Sequence, residues 1–351
     1  MFIGGLGTAV PAQRYTQSQC LQAWEASSQF HSLRPRSQQI LRKVLNGHSG
    51  ISTRHLALER LEDALQLEPD VLDARYAKEA PVLARRAAET ALANAGVTPD
   101  LIDAVIVSSC TGYLCPGLTS YLTGDLGLRE DVLGLDLVGQ GCGAALPNLF
   151  TADALLRSGR CACVLSVCVE VCSAAFYLDN DPGVLISSCL FGDGAAAAIL
   201  TESPSARRKV RWKVASSVCR PEGRDLLRFE RRGGLLRNIL TREVPAAAAA
   251  EAARVLERTL ARAGVDRSQI TGWIFHPGGR DVLEALCERL TLAEEDLRWS
   301  AAILSAYGNL SSPSVLFVLE AALQDAAPSG YWWMSAFGAG FSCHGALLEV
   351  E

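Results

Sequence analysis

The sequence predicts an α/β fold in which two related halves stack in layers. Three observations carry this. An amphipathic helix, an Ala-Gly-Val stop, a short polar turn and an apolar strand occur twice, in AETALANAGVTPDLIDAVIVSSC from Ala88 and in VLERTLARAGVDRSQITGWIFHPG from Val255. A second pair, LFTADALL from Leu149 and LFVLEAAL from Leu316, follows in the same order with one residue lost in between. Runs such as DAVIVSS and CVLSVCVEV are almost continuously apolar, which suits sheets covered on both faces.

Taken in chain order, MFIGGLGTAVPAQRY lacks a basic leader region and reads as a first strand. The stretch from Gln13 to Val82 has no counterpart in the second half and is expected to form an added helical cap. The first half spans residues 1–201. The Pro- and Arg-containing stretch Ser203–Arg211 is the natural linker, and the second half spans 209–351. Within that second half, Cys219–Val244 is an insertion. In the register set by Leu149 and Leu316, Cys142 falls opposite Asn309. Each lies after a strand and before a helix, so a pseudo-twofold would bring the two together across the centre.

With 351 residues, 49% of them apolar, the chain can bury a large core. The apolar runs are too short to span a membrane. A net charge of −5 gives no reason to bind nucleic acid or an anionic surface. Basic clusters at Arg34, Arg36, Arg42 and Lys43, and at Arg224, Arg228, Arg231 and Arg232, read most simply as solvated faces. The sharper reading is a rim for a phosphate-bearing ligand. The 12 cysteines form no zinc pattern, and Cys161, Cys163, Cys168 and Cys172 read as buried, reduced thiols in a cytoplasmic protein.

Three residues carry candidate chemistry. Cys142, in LVGQGCGAALPNLF, sits between glycines at a helix entrance, where unpaired N–H groups are expected to lower the thiol pKa; the plainer reading is a structural thiol. His276, in WIFHPGGRDVL, is delivered to the C-terminal end of a strand, where α/β folds place ligands. Asn309, in AYGNLSSPSVL, could donate to an oxyanion or could cap the next helix.

Together GCGAALPNL, FHPGGRDVL and YGNLSS resemble the Cys, His and Asn motifs of the type III polyketide synthases, the chalcone synthase family. LFGDGAAAAIL from Leu190 and SAFGAGFS from Ser335 are similar to two further motifs of that family, with Ala339 where a Pro is common. The resemblance spans the chain and keeps the motif order. It implies a thiolase-like fold with a layered αβαβα core, and a homodimer that works on acyl-CoA and malonyl-CoA without metal or other cofactor. Cys142 would take the starter acyl group. His276 and Asn309 would hold the thioester oxygen and the enolate formed by decarboxylation. Phe191 would gate the passage between the coenzyme A tunnel and the cavity. Substrate-lining roles are implied for Cys110, Cys172, Ala175, Glu170, Ser311, Gly278, Gly279 and Arg54. Cys115 would reach into the partner's cavity, and Asn238 falls where a second gating Phe stands in the family.

Cys110 and Cys172 replace threonines of chalcone synthases and resemble the bacterial tetrahydroxynaphthalene synthases. A thiol is a weaker donor than a hydroxyl, so the cavity wall is expected to be apolar. That favours a fatty acyl starter and a pyrone or resorcinol product, with malonyl priming toward tetrahydroxynaphthalene as the alternative. A ketoacyl-ACP synthase III would use the same three residue types, but its motifs differ from HPGG and YGNLSS. A hydroxymethylglutaryl-CoA synthase would need a Glu beside the Cys. A catalytically dead scaffold would have lost one of the three residues.

Overall fold

The structure is a computed structural model that describes residues 1–204, 209–325 and 327–351. The first half begins with β1 (Phe2–Ala9). A cap follows: β2 (Arg14–Thr16), α1 (Gln17–Glu25), α2 (Ser28–Ser32), α3 (Pro35–Lys43) and β3 (Thr53–His55). Then come α4 (Pro69–Ala95), β4 (Ala104–Ser108), α5 (Leu118–Leu126), β5 (Leu133–Leu137), α6 (Ala145–Arg157), β6 (Cys163–Glu170), α7 (Pro182–Leu190) and β7 (Gly194–Thr201). The second half holds β8 (Val210–Cys219), β9 (Leu227–Arg232), β10 (Leu235–Leu240), α8 (Val244–Ala263), β11 (Ile270–Phe275), α9 (Arg280–Leu290), α10 (Arg298–Tyr307), α11 (Ser314–Gln324), β12 (Gly330–Gly338) and β13 (Ser342–Val350). The expected linker Ser203–Arg211 includes residues 205–208, which lie outside the described residues.

Among the described residues, nine strands form one sheet in the order β11-β12-β13-β8-β1-β7-β6-β4-β5. Read outward from its middle, β1-β7-β6-β4 on one side and β8-β13-β12-β11 on the other have the same senses: two antiparallel pairings, then one parallel. The two wings meet only at Phe2↔Arg211 and Ile3↔Val210. That short seam lets them fold toward each other over α6 and α11, each of which packs against strands of both wings. On the outer faces, α4 covers β1, β7 and β6, and α8 covers β13 and β8. The result is five layers, helix-sheet-helix-sheet-helix.

The repeated sequence explains the repeated geometry. α4 and α8 end on Gly96 and Gly264, both at φ 65°, where the left-handed stop favours glycine. Leu149 of α6 and Leu316 of α11 are essentially inaccessible to solvent in the central layer. Each such leucine contributes about 1.5–3 kcal/mol by leaving water. One core cluster joins Ile3, Ile106 and Val164 of the first wing to Ile274, Trp332 and Ala346 of the second, so the wings share a hydrophobic centre.

One boundary differs from expectation. The expected cap reaches only to the start of α4, which begins at Pro69 and runs 27 residues through Pro81. A proline removes one helix hydrogen bond. Here Tyr76, Ala80, Leu83, Ala84 and Ala87 are all buried on α4, and that packing carries the helix across the break. The insertion Cys219–Val244 contains a hairpin, β9–β10, closed by Gly233 and Gly234.

Candidate active site

Cys142 lies in a single tight turn, Gly141–Gly143, directly before α6. The turn is braced from behind by the C-terminal end of β12. A Cβ on Gly338 would stand 2.1 Å from the Gln140 carbonyl oxygen, so only glycine permits this backbone-to-backbone contact. His276 follows β11 and continues its pairing through a backbone bond to Ser335 at 2.9 Å; its ring meets Phe337 edge to face at 5.8 Å. Asn309 follows α10. Its backbone exchanges hydrogen bonds with the gate segment, donating to Leu190 O and accepting from Gly192 N.

The side chain of Asn309 is oriented by two contacts. Its Oδ1 accepts from Ser311 N at 2.8 Å and its Nδ2 donates to Gly278 O at 3.1 Å. It does not cap α11, whose preceding residue is Pro313. The amide nitrogen retains a second hydrogen for a ligand. Cys142, His276 and Asn309 all open onto one cleft of about 530 Å³, together with Phe191, Gly278, Gly279, Phe337 and the cations Lys43, Arg242 and Arg280. A smaller chamber of about 40 Å³ adjoins Cys142 and Phe191 and is walled by Cys110, Cys172, Ala175, Ser311, Phe229 and Asn238 among others. Phe191 and Cys142 therefore border both spaces.

The electrostatics correct one expectation. The thiol of Cys142 is not lowered: burial pushes it up to about 12, the Glu170 carboxylate adds to this, and a bond from Ser311 Oγ at 3.3 Å opposes it. Desolvation outweighs the helix entrance because the side chain is almost wholly enclosed. Burial likewise lowers His276 to about 3, which favours its neutral ring. Both shifts favour the uncharged forms, thiol and imidazole. Iodoacetamide inactivation of the free protein is expected to rise about tenfold per pH unit from pH 6 to 9, as the thiolate fraction rises toward a distant pKa. A rate that levels off below pH 8 would instead show a thiolate already paired with histidine.

Two expected substrate contacts, Glu170 and Arg54, lie elsewhere. Glu170 is fully buried and lines neither space. It accepts from Cys110 N at 3.0 Å, Thr111 Oγ1 at 2.9 Å, Ser312 Oγ at 2.6 Å and Ser311 Oγ at 3.3 Å. It reaches Cys142 through Ser311, and burial holds its carboxyl above the ordinary range. Arg54 is also buried away from both spaces. Its guanidinium donates to Ser188 O and Phe191 O, each at 2.9 Å, and so closes the C-terminal end of α7. Cys115 is exposed and lines neither space of its own chain. All twelve cysteines are free thiols.

The sequence reading missed Leu227 and Phe229 of the hairpin wall, and placed Arg228, which lines the small chamber with them, on a solvated face or a phosphate rim. A usable signal was present: Gly233-Gly234 between two short runs marks a two-residue hairpin turn.

Comparison with known proteins agrees with this geometry. Residues 9–230 match the family model for FAE1/type III polyketide synthase-like protein, and residues 217–349 match the chalcone and stilbene synthase C-terminal domain. The chain is 30% identical to 3,5-dihydroxyphenylacetyl-CoA synthase of Streptomyces toyocaensis, over 99% of this chain and 89% of that protein. It is also 30% identical to 1,3,6,8-tetrahydroxynaphthalene synthase of Streptomyces peucetius subsp. caesius, over 99% and 92%. Among solved structures, PKS-I of the brown alga Ectocarpus siliculosus superposes with a TM-score of 0.88 at 26% identity, covering 99% of this chain and 97% of that one.

Proposed function

The chain belongs to the type III polyketide synthase family, and we propose that it loads an acyl group from coenzyme A onto Cys142 and extends it there with malonyl-derived units. The observation that carries this is the convergence of Cys142, His276 and Asn309 on one cleft, with a smaller chamber adjoining Cys142 and Phe191. The N-terminal half supplies the nucleophile and the C-terminal half supplies both donors.

The Cys142 sulfur attacks the starter thioester, the bond from carbonyl carbon to coenzyme A sulfur breaks, and coenzyme A leaves as the thiol with the proton that Cys142 gives up. Malonyl-CoA then loses carbon dioxide. The released electron pair becomes an enolate, whose oxygen accepts from the His276 ring and from Asn309 Nδ2. Neutral donors fixed where that charge develops lower the barrier. The enolate carbon attacks the acyl–Cys142 carbonyl, and the thiolate departs. No metal or organic cofactor enters this scheme, because decarboxylation itself supplies the carbon nucleophile. Lys43, Arg242 and Arg280 at the outer cleft suit the phosphates of coenzyme A. The reading fits the cytoplasm, where coenzyme A thioesters are made. Among the described residues no helix is long and apolar enough to cross a membrane.

The small chamber supports a short starter. At about 40 Å³, beside a cleft of about 530 Å³, the chamber offers less room to a long acyl chain than to a short one. The apolar wall that suggested a fatty starter is present, and the bulky rings of Phe229 and Phe176 are part of it. Two relatives are named for small phenolic products, which supports a compact aromatic product here. The test is incubation with malonyl-CoA alone and with added acyl-CoAs of two to sixteen carbons, with products identified by mass spectrometry. A product from malonyl-CoA alone or with a short acyl-CoA is expected. Specificity constants that climb steadily with chain length would establish the fatty starter, and absence of any polyketide would overturn the assignment.

A homodimer belongs to the same proposal. β5 is an end strand, and Tyr113, Tyr121, Leu133, Val138 and Phe150 on or near it are exposed. Cys115, on the same side of the sequence, would then face the partner. Sedimentation is expected to give twice the 37.5 kDa chain mass, and Phe150→Asp is expected to yield monomers.

A further inference from the structure

Arg237 of β10 is almost entirely buried and holds three carboxylates. Its Nε donates to Asp179 Oδ2 at 2.8 Å, its Nη2 to Asp181 Oδ2 at 3.1 Å and its Nη1 to Glu230 Oε1 at 2.8 Å. Glu230 stands opposite it on β9 in the hairpin ladder, while Asp179 and Asp181 come from the segment before α7. Asp181 has a second task. Its Oδ1 accepts from Gly183 N at 2.9 Å and Val184 N at 3.4 Å, capping the start of α7. One guanidinium therefore binds both hairpin strands to the helix whose other end carries Phe191.

These two elements form the partition between the spaces. On the hairpin, Asn238 follows Arg237 directly and pairs with Phe229, and both wall the small chamber; Leu240 faces the outer cleft and Leu227 borders both. On α7, Ser187 faces the small chamber, and Ile186 and Leu190 face the cleft. An apolar contact could hold the hairpin down, but it would slide. A planar fork bonded to three fixed oxygens sets position as well as attraction. Arg228 Nη2 also reaches Glu230 Oε2 at 3.5 Å, so the cluster sets two positive charges against three negative. Without the Arg237 guanidinium the bonds that join β9 and β10 to Asp179 and Asp181 are lost.

Building on the polyketide-forming activity assigned above, we propose that Arg237 is a positioning residue that sets the width of the small chamber, and with it the chain length at which extension stops. It touches no reacting atom. Its removal should leave malonyl-CoA decarboxylation near the wild-type rate, since the clamp holds the start of α7 whereas Asn309 bonds to its far end, where Arg54 also holds Phe191 O, and should admit longer chains.

The experiment incubates wild type, Arg237→Gln, Arg237→Lys and Leu92→Ala with malonyl-CoA, alone and with acetyl-CoA or hexanoyl-CoA. Products are resolved by mass spectrometry well below each variant's Tm. Arg237→Gln is expected to raise the ratio of longer to wild-type-length products about tenfold, a response that a displacement of about 1 Å can produce where atoms must align. Arg237→Lys keeps the charge and loses the fork, so its shift should be smaller and in the same direction. Leu92→Ala, destabilised in the outer helix layer, should keep the wild-type profile. Should Arg237→Gln not fold, Glu230→Gln, which frees one hairpin strand from the clamp, carries the test. An unchanged profile in the folded clamp variant, or the same shift in Leu92→Ala, overturns the proposal. A wild type that makes no polyketide from these substrates overturns instead the activity on which it rests.

Discussion

Cys142→Ala is expected to abolish polyketide formation, by at least about 10⁴-fold, while malonyl-CoA continues to be converted to acetyl-CoA. The loss is large because no neighbouring thiol can substitute. Cys110 and Cys172 also line the small chamber, and burial raises all three thiols, so position and not protonation sets Cys142 apart. Neither sits in a glycine-flanked turn opening onto the cleft. Decarboxylation persists because its donors, His276 and Asn309, belong to different elements from the nucleophile. Product formation and acetyl-CoA release, both followed by mass spectrometry, separate the two steps. Retained extension, or first inactivating alkylation at Cys110 or Cys172, would displace Cys142 as the nucleophile.

Asn309→Ala should slow malonyl-CoA decarboxylation by about 10²–10³-fold, the usual loss when one oxyanion donor is removed. Its amide is held by Ser311 N and Gly278 O, so the remaining Nδ2 hydrogen is aimed without reorganisation. Asn309→Asp is the sharper control. It keeps an oxygen for Ser311 N but puts a carboxylate where the enolate charge forms, and it should be at least as slow. A normal decarboxylation rate in either folded variant would remove Asn309 from the mechanism.

Much of this was legible in the chain because it is written locally. The paired helix stops at Gly96 and Gly264 depend on a single residue's backbone freedom. The turn around Cys142, the strand end at His276 and the loop at Asn309 are each specified within about ten residues of sequence. The equivalence of Leu149 with Leu316 set Cys142 and Asn309 at corresponding helix entrances, and the two wings fold over α6 and α11 so that both line one cleft.

What the chain did not disclose are sums over distant groups. Helix-entrance logic predicted a lowered Cys142 thiol, whereas desolvation by side chains from across the molecule raises it. Glu170 and Arg54 were placed against substrate, and the structure buries both: one behind Ser311, 141 positions away in sequence, and the other beneath the Phe191 carbonyl, 137 positions away. Pro81 would end an isolated helix, yet packing carries α4 past it. By itself, then, the sequence determined the family, the layered α/β plan and the three residues that meet at the cleft, because backbone conformation and short-range motif chemistry are properties of neighbours. Only the tertiary structure decided the direction of the Cys142 thiol's shift, the size of the chamber and the clamp on the hairpin that walls it. Burial, cavity volume and an ion cluster between distant segments exist only once those segments pack together.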